Sequence, residues 1–253
     1  MPELGSTFFW FIMLLVMFGS MVSSSAGFGF AIILVGALQF FMQPVELVGV
    51  INTIGCLGAV LRVIETRKTA SWGKSLYFII PAFFGIPLGV AVLKYLDPVL
   101  IKRYMNLALL AGVFMLAFAT RSPYQLRSKD KQKKKVVEPL IGFISGILGG
   151  SCTLSGPPIV MWGVLKGWKK IEMHAVFARF FLSIAIFAIL NLNISGIYTR
   201  PVFFISLFLI PAVFVGFSFG TWIRDRISEE RFHLYVLSFL FLSGLTGFAL
   251  SFT

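Results

Sequence analysis

Residues 149–158 read GGSCTLSGPP, and residues 23–29 read SSSAGFG. Each of these small, polar, glycine-rich stretches interrupts a long apolar segment, which runs roughly from Phe8 to Phe41 in one case and from Leu140 to Gly167 in the other. Unwound backbone at membrane depth is tolerated only where protein or a water-filled cavity satisfies its amides and carbonyls. Paired interruptions in matching places of two halves therefore point to a transport site. We name residues 23–29 the first break and residues 149–158 the second break.

The composition indicates a polytopic membrane protein. Hydrophobic residues make up 58% of the 253 residues, so nearly every long segment must face lipid or another apolar helix. The net charge of +12 lies mainly in short connectors, where Lys and Arg face lipid headgroups rather than nucleic acid. The carboxylates lie at segment ends and only two histidines are present, so an enzyme, a metal site or another cofactor is poorly supported. The N-terminus has no basic region ahead of its apolar stretch and is not expected to be a signal peptide.

The apolar runs predict six spans besides the two broken segments. Three spans follow each break, and a Lys-rich linker separates the two sets, so we expect a first membrane repeat at 1–120, a linker at 121–138 and a second repeat at 139–253. The predicted spans are Val45–Leu61, Leu76–Leu93, Val99–Ala119, Met173–Leu190, Val202–Ile223 and Phe232–Phe252.

Matching small-residue motifs indicate that the second repeat is a duplicate of the first. The paired motifs, each separated by about 130 residues, are Ala26-Gly27 with Ser155-Gly156, Pro81-Ala82 with Pro211-Ala212, and Gly85 and Gly89 with Gly216 and Gly220. The glycine pairs follow a proline, which is typical of kinked, closely packed membrane helices.

Each broken segment could cross the membrane once as a bent helix or enter and leave on the same side as a re-entrant hairpin. We expect its arms to be too short to span alone, as Pro157–Gly167 illustrates. Hairpins leave only Lys94, Lys102, Arg103 and Arg200 on one side and place the linker cluster and the other loop cations, Arg62 included, opposite. Full crossings would instead distribute the basic residues more evenly over the two sides of the membrane. The positive-inside rule therefore favours hairpins.

Three crossings per repeat is an odd number, so the second repeat enters the membrane upside down. The sequence therefore predicts an all-α polytopic membrane protein with two inverted repeats, each a re-entrant broken-helix hairpin followed by three transmembrane helices. Both termini should be external and the basic linker cytoplasmic.

The breaks have the chemistry of an anion site. Pro157 and Pro158 suit the first turn of a helix with Ser155 as its N-cap. In the first hairpin, Gly27 and Gly29 could likewise allow a helix to begin at the break. Helix N-termini offer free N–H donors and a partial positive charge. The alternative is that these small residues only allow close helix packing. The candidate substrate-binding residues are Ser24, Ser25, Gly27, Gly29, Asn52, Ser151, Cys152, Thr153, Ser155, Gly156 and Arg179.

Some of these candidates have a second interpretation. Arg179 lies inside a predicted span and could be a counter-ion or could snorkel to the interface as an anchor. Asn52 could bond a neighbouring helix, and Cys152 could simply be a small packing residue or could meet a soft sulfur substrate. His174 lies beside Glu172 near the basic loop and is expected at the interface.

The two breaks, the Pro-Ala motifs with spaced glycines and the basic central linker together resemble the sulfite exporter TauE/SafE family, also called toluene sulfonate uptake permeases. The resemblance covers essentially the whole chain. It implies a permease or exporter in the bacterial inner membrane for small sulfur-containing anions such as sulfite, thiosulfate or organosulfonates. It also implies alternating access around a midplane site between Ser23–Gly29 and Gly149–Pro158.

Two other classes stay open from the residues alone. A passive anion channel is one, because no carboxylate is placed mid-membrane to carry a coupling proton. A membrane subunit without transport activity is the other, although it would not need two internal unwound segments. The expected partners are a small anion and the lipid bilayer, and the sequence does not specify the direction of transport or the coupling ion.

Overall fold

The computed structural model describes residues 7–68, 72–121 and 131–224. Within these ranges the chain is helical and contains no strand. The helices are α1 (Thr7–Ala26), α2 (Phe30–Leu38), α3 (Pro44–Glu65), α4 (Gly73–Tyr95), α5 (Pro98–Arg121), α6 (Lys131–Cys152), α7 (Gly156–Leu165), α8 (Lys170–Ile194) and α9 (Arg200–Arg224).

Helices α3, α4, α5, α8 and α9 are each long and apolar enough to cross a bilayer. They coincide with five of the six predicted spans to within a few residues. The sixth, Phe232–Phe252, lies outside the described residues. A helix satisfies its own backbone groups, so these apolar runs can face lipid without exposed polar groups. The predicted all-α polytopic membrane fold is therefore confirmed.

Each broken segment folds back as a hairpin. The Phe11 and Phe41 rings lie 6.0 Å apart at the base of the α1–α2 pair. In the other pair, Trp162 Nε1 of α7 donates to Glu138 Oε1 of α6 at 3.3 Å. A single bent crossing would separate such residues by most of the membrane thickness, about 30 Å. These contacts exclude that alternative.

The arms agree with the sequence-based expectation, and the breaks differ from it. The apolar parts of the first arms, Phe9–Ser25 in α1 and Val136–Cys152 in α6, are shorter than the helices that could cross a bilayer. The returning arms α2 and α7 are shorter still, with 9 and 10 residues. The unwound parts are confined to residues 27–29 and 153–155, because the neighbouring Ser and Cys residues stay helical.

Helix α6 also begins earlier than expected. The Lys-rich stretch was predicted as linker as far as residue 138, but the helix starts at Lys131 and includes Pro139. Lys, Gln and Glu are good helix formers, so a polar extension of an apolar helix carries little intrinsic penalty.

The spaced glycines allow α4 to pack closely on α6, and α9 on α1. A Cβ atom at Gly85 or Gly89 of α4 would overlap the backbone of α6, and one at Gly216 or Gly220 of α9 would overlap the backbone of α1. The first arm of each hairpin thus packs on the second helix that follows the other hairpin. These contacts are the most extensive between helices of the described chain, and they confirm close packing as the role of the glycine pairs.

Helices α4 and α8 run in the same direction. Lys74 at the start of α4 forms an ion pair with Glu172 at the start of α8. At their far ends, Lys94 Nζ donates to the Ser195 carbonyl oxygen at 2.8 Å. This parallel arrangement agrees with hairpins that return to their own side of the membrane. The inverted orientation of the repeats stays a prediction, to which we return below.

Candidate functional site

A cavity of about 70 Å³ lies between the two breaks. A single water needs about 10–15 Å³ on the same measure, so the cavity could accept a small polyatomic ligand. Its lining residues on α8, Phe181, Ile184 and Ala185, lie at the middle of that helix. The remaining lining residues come from the first hairpin, α3 and the second break: Ser23, Phe28, Gly29, Phe30, Ala31, Ile32, Ile51, Asn52, Gly55, Arg62, Thr153, Leu154, Ser155 and Gly156.

Arg62 brings a buried positive charge to this cavity. It projects from the last turn of α3 and is only 7% exposed. Its Nη1 donates to the Ser23 carbonyl oxygen at 3.3 Å, to the Gly27 carbonyl oxygen at 3.4 Å and to Ser23 Oγ. The guanidinium carbon lies 6.0 Å from the centre of the Phe181 ring.

The guanidinium of Arg62 is only partly satisfied. All three hydrogen bonds come from Nη1, and Nε–H is buried without a hydrogen-bond partner among the described residues. The cavity lining contains no acidic residue, and Glu65, three residues along α3, is exposed. The charge of Glu65 acts on Arg62, but it is exposed to solvent and therefore screened, so burial of the guanidinium is only partly compensated. A buried donor without a partner adds to that cost. An anion in the cavity would reduce both costs.

The second break supplies neutral donors. Ser155 occupies the N-cap position of α7, as predicted, but its side chain makes no capping hydrogen bond. Its hydroxyl therefore does not bond the first N–H groups of α7, and Ser155 lines the cavity. Pro157 and Pro158 lie in the first turn of α7 and remove two N–H groups. The N–H of Gly156 and the helix dipole remain to face a ligand.

Both breaks contain residues with left-handed backbone conformations. In the first break Gly27 and Gly29 have φ of 84° and 99°, which glycine adopts at little cost. In the second break Thr153 has φ of 62°. For a β-branched residue this costs on the order of 1–3 kcal/mol, and such strain tends to cluster at functional sites.

The structure brings together about half of the predicted site residues. Those that line the cavity are Gly29, Asn52, Thr153, Ser155 and Gly156. Asn52 donates to the Val48 carbonyl oxygen of its own helix at 3.0 Å, and not to a neighbouring helix. Ser24, Ser25, Gly27, Ser151, Cys152 and Arg179 are not part of the lining.

The two serines of α1 bond their own helix. Ser24 and Ser25 donate to the carbonyl oxygens of Met21 and Val22 at 3.1 and 2.9 Å. Such bonds let a serine stay helical in an apolar environment, which explains why the break begins only at Gly27. Gly27 itself contributes to the site indirectly, because its carbonyl oxygen accepts from Arg62.

The last two residues of α6 also bond their own helix. Ser151 Oγ donates to the Ile147 carbonyl oxygen at 2.7 Å and to the Tyr104 hydroxyl at 3.3 Å. Cys152 Sγ donates to the Leu148 carbonyl oxygen at 3.2 Å and is fully buried. Neither side chain reaches the cavity.

Arg179 lies deep in α8 but is directed away from the cavity. It is 2% exposed, and its Nη1 donates to the Ala175 carbonyl oxygen at 2.9 Å. Its guanidinium carbon lies 5.6 Å from the centre of the Trp72 ring, beside the first residue of α4. This position matches the anchor interpretation better than the counter-ion interpretation.

Several residues that line the cavity were not among the predicted site residues, and Arg62 and Phe181 are the most informative of them. Arg62 was assigned to the basic loop because the apolar span was predicted to end at Leu61, the residue before it. Phe181 was not distinguished from other apolar residues of α8. Helix α3 instead continues to Glu65, so Arg62 lies inside its last turn. His174 is likewise not simply interfacial, since a Cβ atom at Gly27 would lie 3.0 Å from its ring.

No group of three or more His, Cys, Asp or Glu side chains that could hold a metal ion occurs in the described part of the chain. Comparison with curated proteins and with solved structures gives no significant match. Comparison with protein families gives a match to the sulfite exporter TauE/SafE family over residues 12–247, nearly the whole chain. The chain therefore belongs to the sulfite exporter TauE/SafE family, a family of membrane transporters for sulfite and related sulfur anions.

Proposed function

We propose that this protein transports a small sulfur oxyanion, such as sulfite, thiosulfate or an organosulfonate, by alternating access around the cavity between the breaks. The observation that carries the proposal is Arg62, a buried cation that lines a cavity with no acidic residue. Charge-assisted hydrogen bonds from guanidinium to oxyanions are among the stronger polar interactions in proteins.

The donors around the cavity suit a ligand with several oxygen atoms. The Arg62 guanidinium approaches from α3, and the Ser155 hydroxyl and Gly156 N–H approach from the second break. An oxyanion accepts hydrogen bonds on two or three oxygens at once, so it can use donors from both repeats. The protein itself acts as a carrier and not as an enzyme in this proposal.

Alternating access requires the two repeats to move relative to each other while each keeps part of the site. Arg62 and Ser23 belong to the first repeat, and Ser155 and Phe181 belong to the second. The exchanged packing of α1 on α9 and of α6 on α4 supports two inverted repeats that enclose a shared site. In this scheme the cavity lies near the membrane midplane.

The same scheme fixes the topology in the bacterial inner membrane. Both termini are external, and the linker and the loop at Lys169 are cytoplasmic. The parallel course of α4 and α8 and the distribution of basic residues support this orientation. Labelling of single cysteines introduced at Lys133, at Lys169 and near the C-terminus tests it. A C-terminus on the same side as the linker would contradict the inverted arrangement.

Uptake by proteoliposomes tests the function. We expect radiolabelled sulfite, thiosulfate or a small sulfonate to accumulate, and carboxylates of similar size to compete weakly. Imposed pH and sodium gradients identify the driving ion. Anion conductance far above carrier turnover in a planar bilayer would instead indicate a passive channel. No uptake and no binding of any sulfur oxyanion would favour a subunit without transport activity.

A further inference from the structure

His174 in the first turns of α8 lies against the first break. A Cβ atom placed on Gly27 would lie 3.0 Å from both Cδ2 and Nε2 of the imidazole. The ring is partly buried. A residue of the second repeat is therefore in direct contact with the unwound peptide of the first.

The same glycine connects His174 to the cation of the cavity. The carbonyl oxygen of Gly27 accepts a hydrogen bond from Arg62 Nη1 at 3.4 Å. Gly27 thus contacts both Arg62 of α3 and the His174 ring of α8. An imidazolium at this position would place a second positive charge near the guanidinium of Arg62.

Among the described residues, the other ionisable groups near His174 lie mainly at helix ends and in loops. Helices α1 and α2 contain none among their residues. Helix α3 contributes Arg62 and the exposed Glu65, and Arg67 and Lys68 follow it in the loop. Helix α4 contributes Lys74, whose charge is paired with Glu172 of α8. The remaining basic residues near the start of α8 are Lys166, Lys169, Lys170 and Arg179.

We propose that His174 couples transport to protons, so that anion binding beside Arg62 and protonation of His174 favour each other. This inference rests on the proposed function. Histidine is the side chain whose ordinary pKa, about 6.5, places its charge change between pH 5 and 8. Without an anion, Arg62 and the surrounding cations oppose a further positive charge at His174. An anion in the cavity offsets that repulsion, and the effect is reciprocal by thermodynamic linkage.

This coupling makes the anion affinity depend on pH. Anion affinity is highest at low pH, where His174 carries its proton, and falls as the pH rises and the proton is lost. The anion and the proton then cross in the same direction. A proton gradient could drive uptake without any mid-membrane carboxylate.

Binding of thiosulfate to the purified full-length protein between pH 6 and pH 8 tests this inference, because thiosulfate does not change its charge over that range. We expect its dissociation constant to increase about five- to tenfold from pH 6 to pH 8, a typical size for coupling between two sites. His174→Gln should remove this dependence and bind with one affinity throughout. The matched control is His233→Gln at the chain's other histidine, which should keep the wild-type slope.

A second measurement needs no variant. Thiosulfate added to the wild-type protein in weak buffer at pH 7 should cause net proton uptake. The inference is overturned if no protons are taken up, or if His174→Gln keeps the wild-type slope. A uniform loss of affinity at every pH with that slope intact would show a structural role only. Absence of thiosulfate binding at any pH would instead remove the proposed substrate and the inference together.

Discussion

The two breaks occupy matching places in their hairpins, yet they differ in chemistry. The first break turns on two left-handed glycines and is bonded to a cation, Arg62, from another helix. The second break turns on a strained Thr153 and begins its helix with two prolines. The cavity therefore has one charged side, at the first break, and one neutral side with a hydroxyl group, at the second break. In the proposed function, a single anion would interact with both breaks without two cations repelling each other.

The largest effect on transport is expected from a bulky side chain in the part of the cavity that the second break forms. A Cβ atom on Gly156 would lie 3.4 Å from the Phe181 ring, which is ordinary contact, and the backbone there is not left-handed. Gly156→Leu should thus fold and place its side chain in the cavity, abolishing transport. Gly156→Ala should reduce it only a few-fold. Proteoliposome uptake and thermal melting of both variants provide the check, and normal transport by Gly156→Leu would contradict this placement of the site.

The equivalent substitution in the first break should behave differently. Gly27→Leu combines φ of 84° with a clash against His174, so it should lower the unfolding temperature as well as transport. The sequence predicts both Gly27 and Gly156 as substrate-binding residues, but only Gly156 lines the cavity. Their different surroundings now predict a folding defect at one and a binding defect at the other.

The next largest effect, a loss of anion affinity, is expected from removing the charge of Arg62. Arg62→Gln removes the charge and its hydrogen bonds, each of which contributes about 1.5–3 kcal/mol when directed at an anion. At 1.4 kcal/mol per factor of ten, the dissociation constant should increase about 10- to 100-fold. Arg67→Gln is the matched control, because Arg67 is exposed in the adjacent loop. Calorimetric titration with thiosulfate would contradict this prediction if the two variants bound equally well.

A smaller effect is expected from charge at the N-cap of α7. Ser155→Asp adds a negative charge that competes with the substrate for the helix terminus, and should weaken binding about tenfold. Ser155→Asn is close in size and neutral, and should change the affinity by about threefold or less. Equal binding by the Asp and Asn variants would show that the anion does not approach α7.

The smallest effect on transport is expected at Arg179. Arg179→Gln removes a cation–π contact with Trp72 at a distance from the cavity, so affinity should stay within about twofold of wild type. Stability should decrease by about 1 kcal/mol, seen as a lower melting temperature in detergent. A loss of affinity as large as that of Arg62→Gln would show that Arg179 acts as a counter-ion for the substrate.

The crossing helices and the hairpins were predictable because they follow from simple rules. Long apolar runs must be helical in lipid, and the side preferred by Lys and Arg distinguishes hairpins from full crossings. The extent of the breaks was not predictable to the same degree. Ser25 and Ser151 have the composition of a loop but bond carbonyls of their own helices, and no local pattern distinguishes these two outcomes.

The charged part of the site was the hardest part to predict from the sequence. Successive helix residues point about 100° apart, so depth in a span does not determine what a side chain faces. Arg179 is deeper in its helix than Arg62 is, yet only Arg62 faces the cavity. That outcome depends on how α3 packs against the α1–α2 hairpin, which is a tertiary property.

Locating a bound anion by its anomalous scattering tests the central claim most directly. The experiment is a crystal structure of the full-length protein with a bromine-labelled benzenesulfonate or with selenite in place of sulfite. The account predicts an anomalous peak between the two breaks, with anion oxygens within hydrogen-bonding distance of Arg62 and Ser155. A peak beside Arg179 and Trp72, with the cavity occupied only by water, would contradict it.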